Sequence, residues 1–381
     1  MSVTCATSAA EAGELLRVQS ILSFAEAAKS AKSPQEASQL LQMASTKRVP
    51  MAREHLSTEA LQSDDVWKVL LMTKSLAVTA LFRNMGNMAK HGVLADEAAV
   101  KVIESVITDP AVLRQGRIHP LTVLVAREVY GKGSGIRGRG KWAVDQRVKD
   151  VLSVSFERAF EAAPELDVPI DIAVDVSGSM HSCFLSGTPI KAAQGAAVMA
   201  MVAAKKWRGC GIYGFSTSYF SLKDRKSCMS LGLRQAIIRD DMTLESVIHD
   251  TGALPFAGTD CSLPMVEALR ARRRVQAFIV ITDSETGSYG VANPSDALRA
   301  YRREMKIPDA MLIVIALTAN LVTIADPRDP YMLDIAGFDP GFMQTVETFI
   351  RTRGFTKIDG MELDGVEIVD TEMGGITMDV S

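Results

Sequence analysis

The sequence predicts two kinds of structure in one chain: an all-α segment over residues 1–166, and a doubly wound α/β unit over 167–355. Three observations predict this. Before Pro164, apolar residues recur at three- and four-residue spacing and strand-like alternation is nearly absent. After Pro164, short continuous apolar runs alternate with amphipathic stretches, as in a mostly parallel sheet covered on both faces. The chain also has 381 residues and is 47% hydrophobic, enough to fill cores for two units of ordinary size.

The helical segment reads from LLRVQSILSFAEAAKSA through VWKVLLMTKSLAVTALFRNM and AAVKVIESVI to HPLTVLVAREVY. Its breaks are short, at Ser33-Pro34 and Asp109-Pro110, until the glycine-rich GKGSGIRGRGK that opens at Gly131. Helices joined by short connectors predict an α-solenoid or bundle, although no clean repeat is visible. The second unit opens with the buried-strand run VPIDIAVDVSG and a helix from about Pro189 to Lys206. Strands CGIYGFS, VQAFIVITD and AMLIVIALT then alternate with helices LESVIHDTG, LPMVEALRARR and ALRAYRREMK. Residues 356–381 form an acidic tail, in which MELDGVEIV is expected to add an edge hairpin.

Composition narrows the function classes. A net charge of −3 excludes electrostatic nucleic-acid binding by the chain as a whole, so any such role must sit on a local patch. The five cysteines (Cys5, Cys183, Cys210, Cys228, Cys261) are scattered and include no CxxC, which argues for a reducing compartment. The N-terminus lacks the pattern of a signal peptide, and no apolar run is long enough to span a membrane. A soluble, cytoplasmic chain is expected, with the nucleus as a second compartment.

One motif carries specific chemistry. Asp175-Val176-Ser177-Gly178-Ser179 follows the first strand directly, Thr259 sits in a loop between two helices, and Asp283 ends the strand Phe278-Ile279-Val280-Ile281. In such sheets the ligand site lies beyond the carboxyl ends of the strands, so all five oxygens are expected at one rim. An oxygen-only set with several neutral hydroxyls suits a hard divalent ion, Mg²⁺ above all. With two carboxylates the ion stays under-neutralised, leaving a position for a partner's carboxylate. A lone DxSxS is an ordinary strand-to-helix turn. The full set, in this order, resembles the metal-ion-dependent adhesion site of a von Willebrand factor A (VWA) domain.

Further segments resemble one family, the Ro ribonucleoprotein autoantigens with their TROVE domain. They include Leu81-Phe82-Arg83-Asn84-Met85-Gly86, Arg117-Ile118-His119-Pro120, and Gly135-Ile136-Arg137-Gly138 with Lys141-Trp142. In the second unit they include Asp241-Met242-Thr243-Leu244, Gly258-Thr259-Asp260-Cys261, Thr323-Ile324-Ala325-Asp326-Pro327, and Leu333-Asp334 before Gly337-Phe338-Asp339. The likeness covers roughly residues 40–352. It implies HEAT-like helical repeats, a VWA domain that closes the helical ring, and a non-catalytic role binding Y RNAs and misfolded noncoding RNAs rather than DNA. By this resemblance the helical segment is expected to lack a counterpart of the N-terminal half of the family's ring. Ala257 stands where the family usually has glycine, and Thr73-Lys74-Ser75-Leu76 reads as an insertion in a helix or loop.

A local patch fits an RNA partner. From Arg114 to Lys149 there are nine basic residues against Glu128 and Asp145. Arg137, Arg139 and Lys141 alternate in the glycine-rich loop, where they are expected to track phosphates, together with Arg117. His119 and Trp142 are candidates to stack on bases. The bland alternatives are a solvated basic face, a helix-capping His119 and a Trp142 that anchors the loop. No GxSxG, P-loop or metal-spaced histidines occur, so no enzyme is expected. The competing function class is a cation-dependent protein-interaction module on a helical scaffold.

Overall fold

The computed structural model describes residues 9–135, 140–185, 187–254, 258–283, 293–318, 324–337 and 342–352. Eight helices come first: α1 (Ala9–Lys29), α2 (Pro34–Thr46), α3 (Asp64–Met72), α4 (Val78–Lys90), α5 (Glu97–Ile107), α6 (Pro110–Gln115), α7 (Pro120–Gly131) and α8 (Gln146–Ala162). Their starts follow the capping rules. Ser33, Asp96, Asp109 and Asp145 each accept a backbone N–H of the first turn, and proline opens α2, α6 and α7 where no donor is needed. Thr73–Leu76 is a loop and not a lengthened helix: α3 ends at Met72, and Lys74 takes the left-handed conformation (φ 53°). Among the described residues no helix is long and apolar enough to cross a membrane.

The second unit runs β1 (Ile170–Asp175), α9 (Gly178–Ser182), α10 (Ala192–Lys206), β2 (Gly211–Phe215), β3 (Tyr219–Ser221), α11 (Arg225–Ser230), α12 (Leu244–Gly252), α13 (Leu263–Arg270), β4 (Ala277–Thr282), α14 (Pro294–Met305), β5 (Met311–Ala316), β6 (Met332–Ala336) and α15 (Phe342–Arg351). The sheet order is β3-β2-β1-β4-β5-β6, parallel throughout except for the β2–β3 hairpin. Every residue of β1, β4 and β5 is buried, because helices cover both faces. From β1 the chain moves outward to β2 and β3, then returns to β4 on the other side. That reversal opens a crevice between the carboxyl ends of β1 and β4.

The sheet's two faces belong to different cores. Ala173, Phe278, Val280, Leu312 and Val314 point to one face, with Leu298 and Tyr301 of α14. Ile172, Val174, Ile279, Ile281 and Ile313 point to the other, under α10 and α15. That second core does not stop at the sheet. It continues through α7 and α8 (Leu121, Leu124, Leu152, Phe156) to Trp67 and Leu41, so the helical segment and one sheet face share a single apolar interior. Polar contacts cross the same seam: Gln344 donates to the Arg117 carbonyl at 3.3 Å, Arg351 to the Glu165 carbonyl at 2.8 Å, and Lys205 lies 4.5 Å over the Phe160 ring.

Candidate metal centre and basic surface

At the β1–β4 crevice the structure brings the five predicted oxygen-bearing residues to one rim. The Asp175 carboxyl is pinned from two sides: the Ser177 amide donates to Oδ1 at 2.8 Å, while the Thr282 hydroxyl donates to Oδ2 at 2.8 Å and Thr259 Oγ1 lies 3.4 Å from the same oxygen. Ser177 Oγ and Ser179 Oγ are 3.0 Å apart. The Thr259 loop joins α12 to α13 and so follows no strand. It reaches the rim because the Asp260 amide bonds the Ser216 carbonyl just past β2, and Asp260 caps the turn through the Ser262 hydroxyl. Thr318 holds the Asp283 backbone carbonyl.

Asp175, Ser177, Thr259 and Asp283 are all buried. Burial raises the Asp175 carboxyl above the ordinary carboxylate range, and the nearby charge of Asp283 pushes the same way against the hydrogen bonds that lower it. Two carboxylates enclosed together, ringed by hydroxyl oxygens, present the donor chemistry a hard divalent cation takes. The five residues are two aspartates, two serines and a threonine, an all-oxygen set that differs from the cysteine and histidine ligands typical of zinc. Thr282 was not among the predicted site residues. It precedes Asp283 at the end of β4, and its role depends on β1 lying beside β4 in register.

The basic stretch is more dispersed than the sequence suggests. Arg117 is exposed at a left-handed turn (φ 51°), and Lys141 is exposed where it bridges Ser134 across the loop. Arg127 and Arg147 are taken up by Glu128 and Asp145. Arg137 and Arg139 lie outside the described residues. His119 corrects the expectation that it stacks on bases: it is 6% exposed and caps α7, its Nδ1 accepting the Leu121 amide at 3.2 Å. Burial drives its pKa down to about 3, so the ring is neutral and inside. Trp142 is likewise an anchor. Its indole N–H donates to the Tyr130 carbonyl at 3.0 Å, and its ring lies against Gly86 of α4.

The chain matches the family model of the Ro60 vWA domain over residues 170–350 and that of the TROVE domain over residues 41–135. It is 35% identical over 315 residues to the RNA-binding protein RO60 of Caenorhabditis elegans, covering 83% of this chain and 46% of that one. To the protein of the same name from Deinococcus radiodurans it is 37% identical over 291 residues, 75% of this chain and 51% of the other. The chain belongs to the Ro60 family. The crystal structure of the Ro (RSR) protein of Deinococcus radiodurans superimposes with a TM-score of 0.72 at 32% identity, covering 92% of this chain and 65% of that one. This chain therefore spans about half the length of the curated Ro60 relatives it matches.

Within this Ro60-type frame the Trp142 anchor explains a glycine. A Cβ on Gly86 would sit 2.5 Å from the Trp142 ring. Gly86→Ala is expected to lift Trp142 off α4, costing about 1–3 kcal/mol as an overpacking change. Urea denaturation and a red-shifted tryptophan emission check this, and an unchanged spectrum at unchanged stability would refute it.

Proposed function

We propose that this chain is a non-catalytic RNA-binding protein of a cytoplasmic ribonucleoprotein. Its partners are small noncoding RNAs, the Y-type and misfolded RNAs that the family resemblance implies. The RNA is held by the helical segment, and a divalent cation, Mg²⁺, occupies the rim built by Asp175, Ser177, Ser179, Thr259 and Asp283. The observation that carries the reading is the TROVE match over residues 41–135, which runs directly into the basic strap bearing the exposed Lys141. On this reading the ion orders the rim or docks a partner's carboxylate, and phosphates are neutralised elsewhere, at Arg117, Arg137, Arg139 and Lys141.

Gel-shift titration with a structured RNA carrying a single-stranded 3′ tail tests the reading. Wild type is expected to bind more weakly as salt rises. Neutralising Arg137, Arg139 and Lys141 together should lower affinity and reduce the slope of log affinity against log salt by about one per lost phosphate contact. Absence of binding at low salt, or binding indifferent to these three substitutions, refutes it.

A further inference from the structure

Away from both the metal rim and the basic strap, a cavity of about 160 Å³ opens between the single turn Arg53–His55 and the start of α4. Arg53, Glu54, Ser75, Thr79, Arg83 and Asn84 line it. Two of its walls are basic. The Arg53 Nε is enclosed without a hydrogen-bond partner, and the guanidinium's acidic neighbour, Glu54, is 3.7 Å away with its own side chain 66% exposed. Arg83 is exposed and has no ion pair among the described residues. Ser75 and Leu76 of the insertion-like stretch form another wall, and the Ser75 hydroxyl lies 2.8 Å from that of Thr73.

Ala77, Thr79 and Ala80, at the start of α4, line the cavity as well. Ala77 caps α4 without a side-chain acceptor, and the first bond into the helix runs from the Leu81 amide to the Ala77 carbonyl. The amides of Val78, Thr79 and Ala80 therefore have no acceptor among the described residues. Two guanidiniums and the positive end of a helix dipole face one exposed carboxylate, an imbalance that favours an anion with several acceptor oxygens. Arginine forks and free amides match the tetrahedral oxygens of phosphate better than a planar carboxylate.

We propose that this cavity binds a phosphoryl group, supplied by an RNA strand. The site stands on the cavity's own geometry; the RNA source rests on the function proposed above. Inorganic phosphate titrated into the ¹⁵N-labelled full chain is expected to shift the Val78, Thr79 and Ala80 amides saturably. An Arg53→Gln/Arg83→Gln variant with an unchanged melting temperature should lose that response. No saturable shift in wild type, or the same shift in the variant, overturns the site. In gel shifts with single-stranded RNA, the double variant is expected to bind roughly tenfold more weakly at low salt, with a salt slope smaller by about one. Phosphate binding with unchanged RNA affinity overturns RNA as the source and assigns the cavity to a small phosphorylated molecule. If wild type binds no RNA at all, the proposed function has failed, and the phosphate titration still decides the cavity.

Discussion

Adding Mg²⁺ to the wild-type chain is expected to raise its melting temperature by several degrees, and the same addition to Asp175→Asn to change nothing. A ligand at a hundredfold excess over its Kd stabilises the folded state by about 2.7 kcal/mol. Without the cation the ranking reverses. Burial holds the Asp175 carboxyl above its unfolded pKa, with Asp283 adding repulsion, so ionisation of Asp175 works against folding. A group whose folded pKa is raised contributes stability at low pH that is lost as pH rises through the folded value. Metal-free wild type should therefore be no more stable than Asp175→Asn at pH 8, and should gain on it as pH falls. Mg²⁺ favours the ionised form and should flatten that pH dependence. Scanning calorimetry with and without EDTA reads all of this. A wild-type melting temperature indifferent to Mg²⁺ would show that the rim does not hold the ion.

Arg273→Ala is expected to cost about 3 kcal/mol, because it strands a buried carboxylate. Asp171 on β1 is 5% exposed and receives the Arg273 guanidinium at 2.8 Å. The same guanidinium lies 4.8 Å over the Tyr213 ring, which stacks on Tyr219 at 4.6 Å. Opposite Asp171 in the ladder stands Gly211, where a Cβ would come within 2.3 Å of the Asp171 carboxyl. Burial raises the Asp171 carboxyl even with Arg273 present. Removing the arginine should raise it further, so acidification should partly restore the variant. Asp171→Asn in the Arg273→Ala background should recover part of the loss. If Arg273→Ala costs less than about 1 kcal/mol in urea denaturation, the pair behaves as a solvated surface contact instead.

The interior strands were legible because parallel strands buried on both faces read as unbroken apolar runs, as in Phe278-Ile279-Val280-Ile281. The edges were not. β3 is three half-buried residues, and β6 contains Asp334, whose carboxyl makes sense only once it accepts the Ile324 and Ala325 amides. At the rim, Asp175, Ser177 and Ser179 are legible as a local spacing, whereas Thr282 acts through a neighbour 107 positions away. His119 was legible in part, as a helix cap. Its place before proline marks a helix start, but nothing local reveals that surrounding helices bury the ring. An amphipathic pattern shows that a face will be covered without showing what covers it, so α7 and α8 gave no sign of packing on α10.

That shared interior ties the opening of the helical segment to the opening of the sheet. Leu152 and Phe156 on α8 lie in the same apolar body as Ile279 and Ile281 of β4, so melting the helices would expose apolar surface on that sheet face. Whatever binds tightly at either end then protects the whole from global opening. A cation at the sheet rim would slow amide exchange in the most protected helices, and a polyanion on the helices would do so in the strands. Neither effect requires a change of shape or an altered affinity at the other end.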